Sequence, residues 1–461
     1  MQILLIYGRW KMNTPSEDIK DVALQSTKIK KRIITVLDAI TEAPSGSLLN
    51  ATGNRHQAKA AYRMLSNKRF EIEEIKKTYA EATISRVAEH DTVLLIQDTT
   101  TNNLNTHTKT EGLGYCDNVN KGVLVHTCMA ASPEGVSLGI LVQKTATRPQ
   151  KKDTSATKSE KKKRPIEDKE SYRWIETLNE ANLLIPPTVN AINICDREGD
   201  FYEFYASAVA SGYKVLVRIV HNRIIQEHQK TLDYIKAMPS CGIIETIIPR
   251  DTRNGKKARK ATLEISYGPI TFKKPYIRKE SNLPAEITAT AVHVVEKDPP
   301  EGARAIEWFL LTTETVNSFD DAVKIVQYYV QRWKIERFHY VLKEGCNVEK
   351  VQEREFERQC SMIFLYSMVA IYIMALTYIS RIAPSTDCSV MFDEDEWKIL
   401  YCAANKTNKA PDSPYTIKEA VRYLAKLGGF AGAPSDGEPG VKVIWRGLSV
   451  LYTLVEYRNY L

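Results

Sequence analysis

The sequence predicts an α/β protein with helical regions on either side of a core that contains strands. Residues 18–90 show the apolar periodicity of amphipathic helices. From 91 to 315 the chain alternates short, β-prone apolar runs with helical segments. Helical periodicity returns from residue 318 onward. The chain therefore divides into three parts: a helical N-terminal module at 1–90, an α/β core at 91–384 and a helical C-terminal region at 385–461.

Composition is that of a soluble protein with a moderate basic excess. The 64 Lys and Arg outnumber the 56 Asp and Glu, giving a net charge of +8, which permits a polyanionic partner without requiring one. The eight Cys are scattered without a CxxC pair, so neither a zinc cluster nor a disulfide framework is indicated, and a reducing cytoplasm fits. The apolar run near the N-terminus is too short for a signal peptide.

The N-terminal module carries many of its basic residues on helices. The stretch RHQAKAAYRMLSN, which contains Arg63, follows a break at residues 43–54. Such side chains either contact phosphates or form a solvated helical face, and each taken singly fits the solvated face better.

Strands dominate the start of the core. TVLLIQD, residues 92–98, is the apolar run expected of a buried strand. Two further strands, joined by a turn at PEG, suggest an antiparallel meander. A polar, Lys-rich stretch at 149–170 then predicts a flexible basic loop. Helix, strand, helix and strand follow, and residues 240–315 are again rich in strands.

Residues 361–380 form an uncharged stretch of twenty residues. Length alone would allow a membrane span. The stretch nevertheless contains three Tyr, three Ser and one Thr. We therefore expect a helix buried inside a large core, and no membrane contact. Residues 385–415 look loop-rich, and helices are expected at 416–429 and around 445–457.

Residues 318–345 predict a helix with an unusual mixture of charges. At about 100° per residue, Tyr329, Arg332, Glu336 and Lys343 fall within roughly 60° of one another, whereas Val330, Ile335, Phe338, Val341 and Leu342 spread over the opposite side. Ser318 is the expected N-cap and Gly345 the expected stop. On this stretch alone, an amphipathic helix with an ordinary solvated Arg332–Glu336 pair explains the pattern better than a functional face does.

Three carboxylates favour the functional interpretation. Asp98 and Asp196 each come at the end of a predicted strand, where α/β sheets hold their sites. Glu336 can reach the same point from a helix packed on the sheet. Three carboxylates that face one point repel each other unless a cation lies between them, and oxygen ligands suit Mg²⁺ or Mn²⁺. Two such ions support phosphoryl transfer. Each aspartate taken alone fits a routine turn or helix-cap residue better than a catalytic group, and only the set of three changes that.

The motifs together resemble a known family. IQDTT at 96–100, CDREGDFYEF at 195–204 and YVQRWKIERFHYVLK at 329–343 are similar to the three motif regions of the DDE transposases. The sequence closely resembles family four of the bacterial insertion sequences, which carries a Tyr-x2-Arg-x3-Glu-x6-Lys element, here Tyr329, Arg332, Glu336 and Lys343. Further matches include KAAYRMLSN around Arg63, DKESYRW at 168–174, RIVHNR at 218–223 and EWFLLTTE at 307–314.

The resemblance implies an RNase H-like core with a β-rich insertion at about 225–315. It implies that Asp98, Asp196 and Glu336 are catalytic residues that ligate Mg²⁺ or Mn²⁺, with two ions bound. The residues expected to bind DNA are Tyr329, Arg332, Lys343, Trp308, Arg218, His221, Arg223 and Arg63. Trp308 would stack a flipped base during hairpin formation, although a Trp packed in a strand explains it equally well.

The resemblance further implies cut-and-paste transposition by a cytoplasmic, nucleoid-associated bacterial protein. Its partners would be transposon ends and target DNA, with a homodimer forming on the ends. A metal-dependent nuclease or resolvase on the same core, or a silent DNA-binding relative, are the alternatives. The N-terminus lacks the aromatic and Arg-rich opening usual in relatives, so we expect either a different start or altered recognition of the transposon end. The chain stops soon after residue 455, so we expect a reduced dimerising tail.

Overall fold

The computed structural model describes residues 12–44, 47–149, 157, 160, 164–225, 229–248, 259–276, 283–303, 305–433 and 436–458. The apolar N-terminal run and most of the expected basic loop lie outside these ranges. The strands are β1 Thr92–Asn103, β2 Gly122–Ala131, β3 Ser137–Ala146, β4 Asn190–Cys195, β5 Lys214–Arg218, β6 Gly242–Ile248, β7 Arg259–Lys273, β8 Glu286–Lys297 and β9 Glu307–Thr312.

Helices precede, interrupt and follow these strands, as expected. They are α1 Pro15–Asp18, α2 Thr27–Glu42, α3 Leu48–Ala51, α4 Arg55–Leu65, α5 Ile72–Val87, α6 Tyr172–Leu183, α7 Tyr202–Ala210, α8 Thr231–Lys236, α9 Phe319–Gln331, α10 Trp333–Tyr340, α11 Phe356–Ile382, α12 Glu394–Asn405, α13 Ile417–Leu427 and α14 Val441–Arg458. A π-helical turn, Val341–Gly345, continues α10.

Within the described residues, one mixed sheet of nine strands has the order β3-β2-β1-β4-β5-β9-β8-β7-β6. Strands β1, β4 and β5 are parallel, and β2 is antiparallel to both β1 and β3. This half confirms the RNase H-like core. The insertion strands β6 to β9 pair antiparallel with one another, and β9 pairs with β5. The β-rich insertion therefore extends the core sheet.

Helix α11 is the centre of the hydrophobic core. It contacts β3 and α10, and also helices of both ends of the chain, namely α1, α2, α13 and α14. It is long and apolar enough to cross a membrane, yet 94% of its most apolar window is buried inside the protein. The expectation of a buried core helix is confirmed. One continuous cluster of buried side chains runs from Met12 to Tyr452.

The structure corrects the expected helix at 318–345. Ser318 caps it and accepts from the Asp321 N–H, as expected. However, α9 ends at Gln331, because the Arg332 N–H donates to the Tyr329 carbonyl three residues back, at 3.0 Å. This local tightening separates α9 from α10. Val330, which we assigned to the apolar face, is 48% exposed.

Two other expectations on secondary structure were wrong. The stretch 385–415 contains the twelve-residue helix α12, which begins with a capping box between Asp393 and Glu396. Charged residues at its start obscured the later apolar positions Trp397 and Leu400, and the D-x-x-E spacing was the signal that could have revealed it. Asp98 does not end its strand either, since β1 continues to Asn103 by pairing with β2.

Backbone contact between α13 and α14 requires glycine at position 447. A Cβ atom at Gly447 would collide with the Leu424 carbonyl. We expect Gly447→Ala to destabilise the protein by about 1–3 kcal/mol, the usual cost of overpacking, measured as a lower denaturant midpoint by circular dichroism. Gly440→Ala is the matched control, because nothing lies within 4 Å of its Cβ position. Equal midpoints for the two variants would contradict this account of the packing.

Candidate active site

The sheet register brings Asp98 and Asp196 side by side. Strands β1 and β4 are parallel, and their last paired residues are Ile96 and Ile194. Each aspartate comes two residues later on its own chain, so the two occupy equivalent positions just beyond the parallel pairing. Neighbouring strands are about 4.8 Å apart. The expectation that the two strands are parallel neighbours is therefore confirmed.

The electrostatics of Asp98 reflect this crowding. Burial first, and then the neighbouring Asp196 carboxylate, raise the pKa of Asp98 to about 7. Glu336 makes a smaller contribution to the raised pKa of Asp98, whereas the Thr99 N–H and Arg332 act to lower it. Only 15% of the Asp98 side chain is exposed. Asp196 and Glu336 thus both lie close enough to Asp98 to repel its carboxylate, although one follows a neighbouring strand and the other comes from a helix.

Arg332 lies between two of the carboxylates. Its Nη2 donates to Glu336 Oε1 at 2.5 Å, and its Nη1 is 3.7 Å from Asp98 Oδ2. The Arg332–Glu336 pair that a solvated helix would show is therefore present. It is not solvated, however, because the Arg332 side chain is only 13% exposed and also reaches Asp98. The guanidinium partly neutralises the carboxylates.

Tyr329, Trp308 and Arg218 form a cluster beside Arg332, in which Tyr329 is buried and the other two side chains are half-buried. The Tyr329 ring lies 6.0 Å from the Arg332 guanidinium carbon and packs edge-on against Trp308, with ring centroids 5.5 Å apart. Arg218, at the end of β5, donates to the Glu307 carbonyl at 3.2 Å and interacts with Tyr329. Burial is the main cause that lowers the Arg218 pKa. Trp308 and Arg218 line a cavity of about 790 Å³.

Lys343 lies at the far end of the same helical segment, in the π-helical turn. Its Nζ donates to the Thr101 carbonyl at 2.5 Å and lies 4.0 Å from Glu349. It therefore contacts the part of β1 that extends beyond Asp98. Helical π turns occur often at functional sites. One edge of the site is therefore formed by a single helical segment with an irregular geometry. It carries Tyr329, Arg332, Glu336 and Lys343.

The remaining predicted residues lie elsewhere. Arg223 forms an ion pair with buried Asp200 at 2.6 Å, and its guanidinium packs near the rings of Tyr205 and Phe272. This side chain therefore stabilises the segment after β5. His221 is exposed, and its backbone N–H donates to Asp200. Arg63 is exposed on α4, a helix that contacts α2 and α3.

Three residues near the aspartates had no role assigned from the sequence. The N–H of Thr99 donates to Asp98 Oδ1 at 2.7 Å, and the N–H of Glu198 donates to Asp196 Oδ1 at 2.8 Å. Arg173 on α6 contacts both Thr99 and Glu198 through their side chains. The matching stretch DKESYRW contained Arg173, but its spacing gives no indication of these contacts.

The donor set fits a hard divalent cation. Asp98, Asp196 and Glu336 offer only carboxylate oxygens, which suit Mg²⁺ or Mn²⁺, and their repulsion is relieved by bound positive charge. In the part of the chain that the structure describes, no group of three His, Cys, Asp or Glu side chains is already spaced for metal coordination. At this site Arg332 itself contacts two of the three carboxylates.

Comparisons with known proteins identify three matching families. Residues 15–70 match the transposase DNA-binding family, residues 136–372 the transposase DDE domain, and residues 368–461 the transposase Tn5 dimerisation domain. The DDE match covers 237 of the 461 residues (372 − 136 + 1), slightly more than half. Asp196 and Glu336 lie inside it, and Asp98 precedes it.

A solved structure with partial likeness is a cryo-EM structure of the piggyBac transposase synaptic complex with hairpin DNA. The comparison covers 100% of this chain and 82% of that chain, at 10% identity and a TM-score of 0.37. Likeness at that level does not extend to the detailed arrangement of the chain, so the family matches alone carry the assignment.

Burial of Asp98, together with repulsion from Asp196, predicts a pH-dependent loss of stability. An unfolded chain releases this proton near pH 4, whereas the folded protein releases it at about pH 7. Stability is therefore lost as the pH rises through that window, by a few kcal/mol at most, since one pKa unit corresponds to about 1.4 kcal/mol. We expect Asp98→Asn to raise the melting temperature of the metal-free protein in EDTA more at pH 8 than at pH 5.

The matched control for this prediction is Asp233→Asn, which changes a carboxylate of α8 outside the site. It should shift the melting temperature equally little at both pH values. A stabilisation by Asp98→Asn that does not depend on pH would contradict the raised pKa.

Proposed function

Because the chain belongs to the DDE transposase family, we propose that it moves a bacterial insertion sequence by cut-and-paste transposition, with Asp98, Asp196 and Glu336 as its catalytic carboxylates. Members of the family cleave DNA and transfer strands, and depend on divalent metal ions. The DNA-binding and dimerisation matches add that the chain binds DNA and forms dimers. The observation that carries the proposed site is the register that aligns Asp98 with Asp196.

We propose that the three carboxylates hold two Mg²⁺ or Mn²⁺ ions. When bound, such ions supply activation of the attacking oxygen and stabilisation of the leaving oxygen. Asp98 and Asp196 provide closely spaced oxygen ligands from adjacent strands, and Glu336 provides one from α10. Burial of Asp98 strengthens its attraction to a cation, because there is little water to compete.

The basic and phenolic side chains are proposed to hold the DNA backbone. Arg332 and Lys343 lie on either side of Glu336 along the helical segment, and Tyr329 packs one turn before Arg332. Charge-assisted hydrogen bonds from such groups to phosphate oxygens position the scissile bond next to the carboxylates. Arg332 would then exchange its contacts with Asp98 and Glu336 for contacts with phosphate.

The proposed reaction proceeds through a series of phosphodiester exchanges. Water attacks the phosphorus at the element's end, one phosphorus–oxygen bond forms, and the bond to the 3′ oxygen breaks, which releases a 3′-OH. That hydroxyl attacks the opposite strand and closes a hairpin. Water then reopens the hairpin, and the freed 3′-OH joins target DNA. Each exchange forms one phosphorus–oxygen bond and breaks another.

Trp308 is proposed to stack the base that is extruded when the hairpin forms. Its edge-on contact with Tyr329 places it beside the proposed phosphate-binding residues, and it lines the open cavity with Arg218. A partly buried aromatic ring beside a cavity suits base stacking. The same contact with Tyr329 also fits a packing role, and the rates of nicking and hairpin formation by Trp308 variants separate the two roles.

The finer assignments belong to the same proposal. We place the chain in the branch with the Tyr-Arg-Glu-Lys element, with a homodimer assembled on transposon ends and a second, target DNA. We also propose domain limits at 1–90, 91–384 and 385–461, and a cytoplasmic, nucleoid-associated location. Among the DNA-binding residues, His221 and Arg63 are exposed and available, whereas Arg223 is held by Asp200.

The catalytic assignment predicts that cleavage of the element's terminal DNA needs Mg²⁺ or Mn²⁺ and stops in EDTA. Asp98→Ala, Asp196→Ala and Glu336→Ala should each reduce cleavage below detection, because each removes an oxygen ligand, while gel-shift binding of the same DNA persists. Asp233→Ala serves as the control and should cleave normally. A variant of the three that retains full cleavage would exclude that residue from the site.

The role of Trp308 predicts a selective effect on one step. Trp308→Ala should leave first-strand nicking nearly normal and slow hairpin formation about ten- to hundredfold, since stacking contributes about 1–3 kcal/mol. Products are resolved on a denaturing gel. Trp308→Phe should restore most of the hairpin rate, and Trp308→Leu should not. If Leu restores it, or if nicking falls equally, Trp308 has a packing role.

A further inference from the structure

We propose that Arg173 is a positioning residue that fixes Asp98 and Asp196 relative to each other. The inference rests on the proposed function, because it takes these two aspartates as metal ligands. Arg173 lies at the start of α6, its side chain is only 15% exposed, and it has no contact with either carboxylate among those the structure describes. It acts through the residue that follows Asp98 and the turn that follows Asp196.

The first connection passes through Thr99. Its backbone N–H donates to Asp98 Oδ1 at 2.7 Å, which restrains that carboxylate. The Nε–H of Arg173 donates to the Thr99 hydroxyl at 3.2 Å. Because a guanidinium can only donate, the Thr99 hydroxyl is free to donate its own proton to His126 Nδ1, 2.8 Å away.

His126 completes this side of the network. Burial lowers the pKa of His126 well below its usual value, so the ring is neutral. With Nδ1 accepting from Thr99, the remaining proton lies on Nε2, which faces Gln97 Oε1 at 3.3 Å. All donors and acceptors then have consistent directions from Arg173 to Gln97, and the Thr99 side chain has one defined orientation.

The second connection passes through Glu198. Its backbone N–H donates to Asp196 Oδ1 at 2.8 Å, in the 3-10 turn Arg197–Gly199. The Nη2 of Arg173 lies 3.4 Å from Glu198 Oε2. The guanidinium therefore joins Thr99 and Glu198, whose N–H groups hold the two aspartates. Arg173 itself lies on α6, outside the two strands that carry the aspartates.

Arg173 is itself held in place. Its Nη1 donates to the carbonyl of Glu170 at 3.0 Å and to Glu170 Oε1 at 2.8 Å. Glu170 in turn receives two hydrogen bonds from Arg148, at 2.6 and 2.7 Å. The planar, forked guanidinium suits a joint of this kind, because its donors point in fixed directions.

The network opposes a specific force. Asp98 and Asp196 are adjacent carboxylates, and their negative charges repel each other. Beyond Ile96 and Ile194 no parallel pairing holds their two strands together. Past that point β1 continues in its pairing with β2, and the Arg173 guanidinium links the segments that follow the two aspartates through Thr99 and Glu198.

The test is the affinity of the full-length, DNA-free protein for Mn²⁺, measured by electron paramagnetic resonance. Coulomb's law alone predicts that removing a positive charge near carboxylates strengthens Mn²⁺ binding. Positioning predicts the reverse: Arg173→Ala should weaken binding about tenfold, the lower end of what residues behind metal ligands contribute. The sign of the change therefore separates the two explanations without any measurement of DNA cleavage.

Arg148→Ala is the matched control. It removes an arginine from Glu170 but leaves the contacts of Arg173 with Glu170, Thr99 and Glu198 in place, so Mn²⁺ affinity should change less than about twofold, well below the tenfold loss expected of Arg173→Ala. Arg173→Lys keeps the charge with a single donor group and should bind Mn²⁺ more tightly than Arg173→Ala. Thr99→Val keeps the backbone N–H and a β-branched side chain. The double variant Arg173→Ala/Thr99→Val should bind Mn²⁺ less than about twofold more weakly than Arg173→Ala alone, because both changes remove the same connection.

Several outcomes would overturn the inference. Unchanged or tighter Mn²⁺ binding by Arg173→Ala, with a melting temperature lowered as in Arg148→Ala, would give Arg173 a purely structural role. Equal losses of Mn²⁺ affinity in both arginine variants would do the same. If Asp98→Ala and Asp196→Ala bind Mn²⁺ normally, the proposed ligand set itself is wrong, a failure that these two variants reveal independently of Arg173.

Discussion

Parallel pairing between β1 and β4 is the constraint on which the site depends. The register of these two strands brings Asp98 and Asp196, which are almost a hundred positions apart in the chain, to equivalent positions at the same end of the sheet. Other elements then follow from that pairing. The meander β2–β3 covers one edge of the sheet, the insertion extends the opposite edge, and α10 brings Glu336 to the same end. A slip of the register by two residues would separate the aspartates by one strand repeat.

Holding like charges together costs stability, and the surrounding side chains offset the cost in different ways. Arg332 contacts two carboxylates directly, from the irregular junction between α9 and α10. Arg173 touches neither aspartate and belongs to a connected hydrogen-bond network. One cation is suited to being displaced by a phosphate, and the other to staying in place. Active sites of marginal stability are a common result of such requirements.

The sequence predicted most elements of the core and the residues gathered at its edge, because apolar runs and terminal aspartates are local features. It could not predict the register of β1 and β4, which depends on contacts between distant residues. Asp98 was wrongly placed at a strand end, since the polar residues 99–103 continue β1 through pairing with β2 alone. The break at Arg332 and the network around Arg173 depend on tertiary contacts that no spacing encodes, whereas α12 was recognisable from its capping box.

The central position of α11 has a consequence for synthesis on the ribosome. The apolar side of α2 packs against α11 and α14, whose residues emerge more than three hundred positions later. Until then the nascent N-terminal helices cannot complete their core, and the parallel strands likewise wait for their partners. Contacts of such long sequence separation slow folding and leave apolar surface exposed in the meantime. The protein therefore reaches its native state only after nearly the whole chain has been translated, which makes its early fragments natural clients for chaperones.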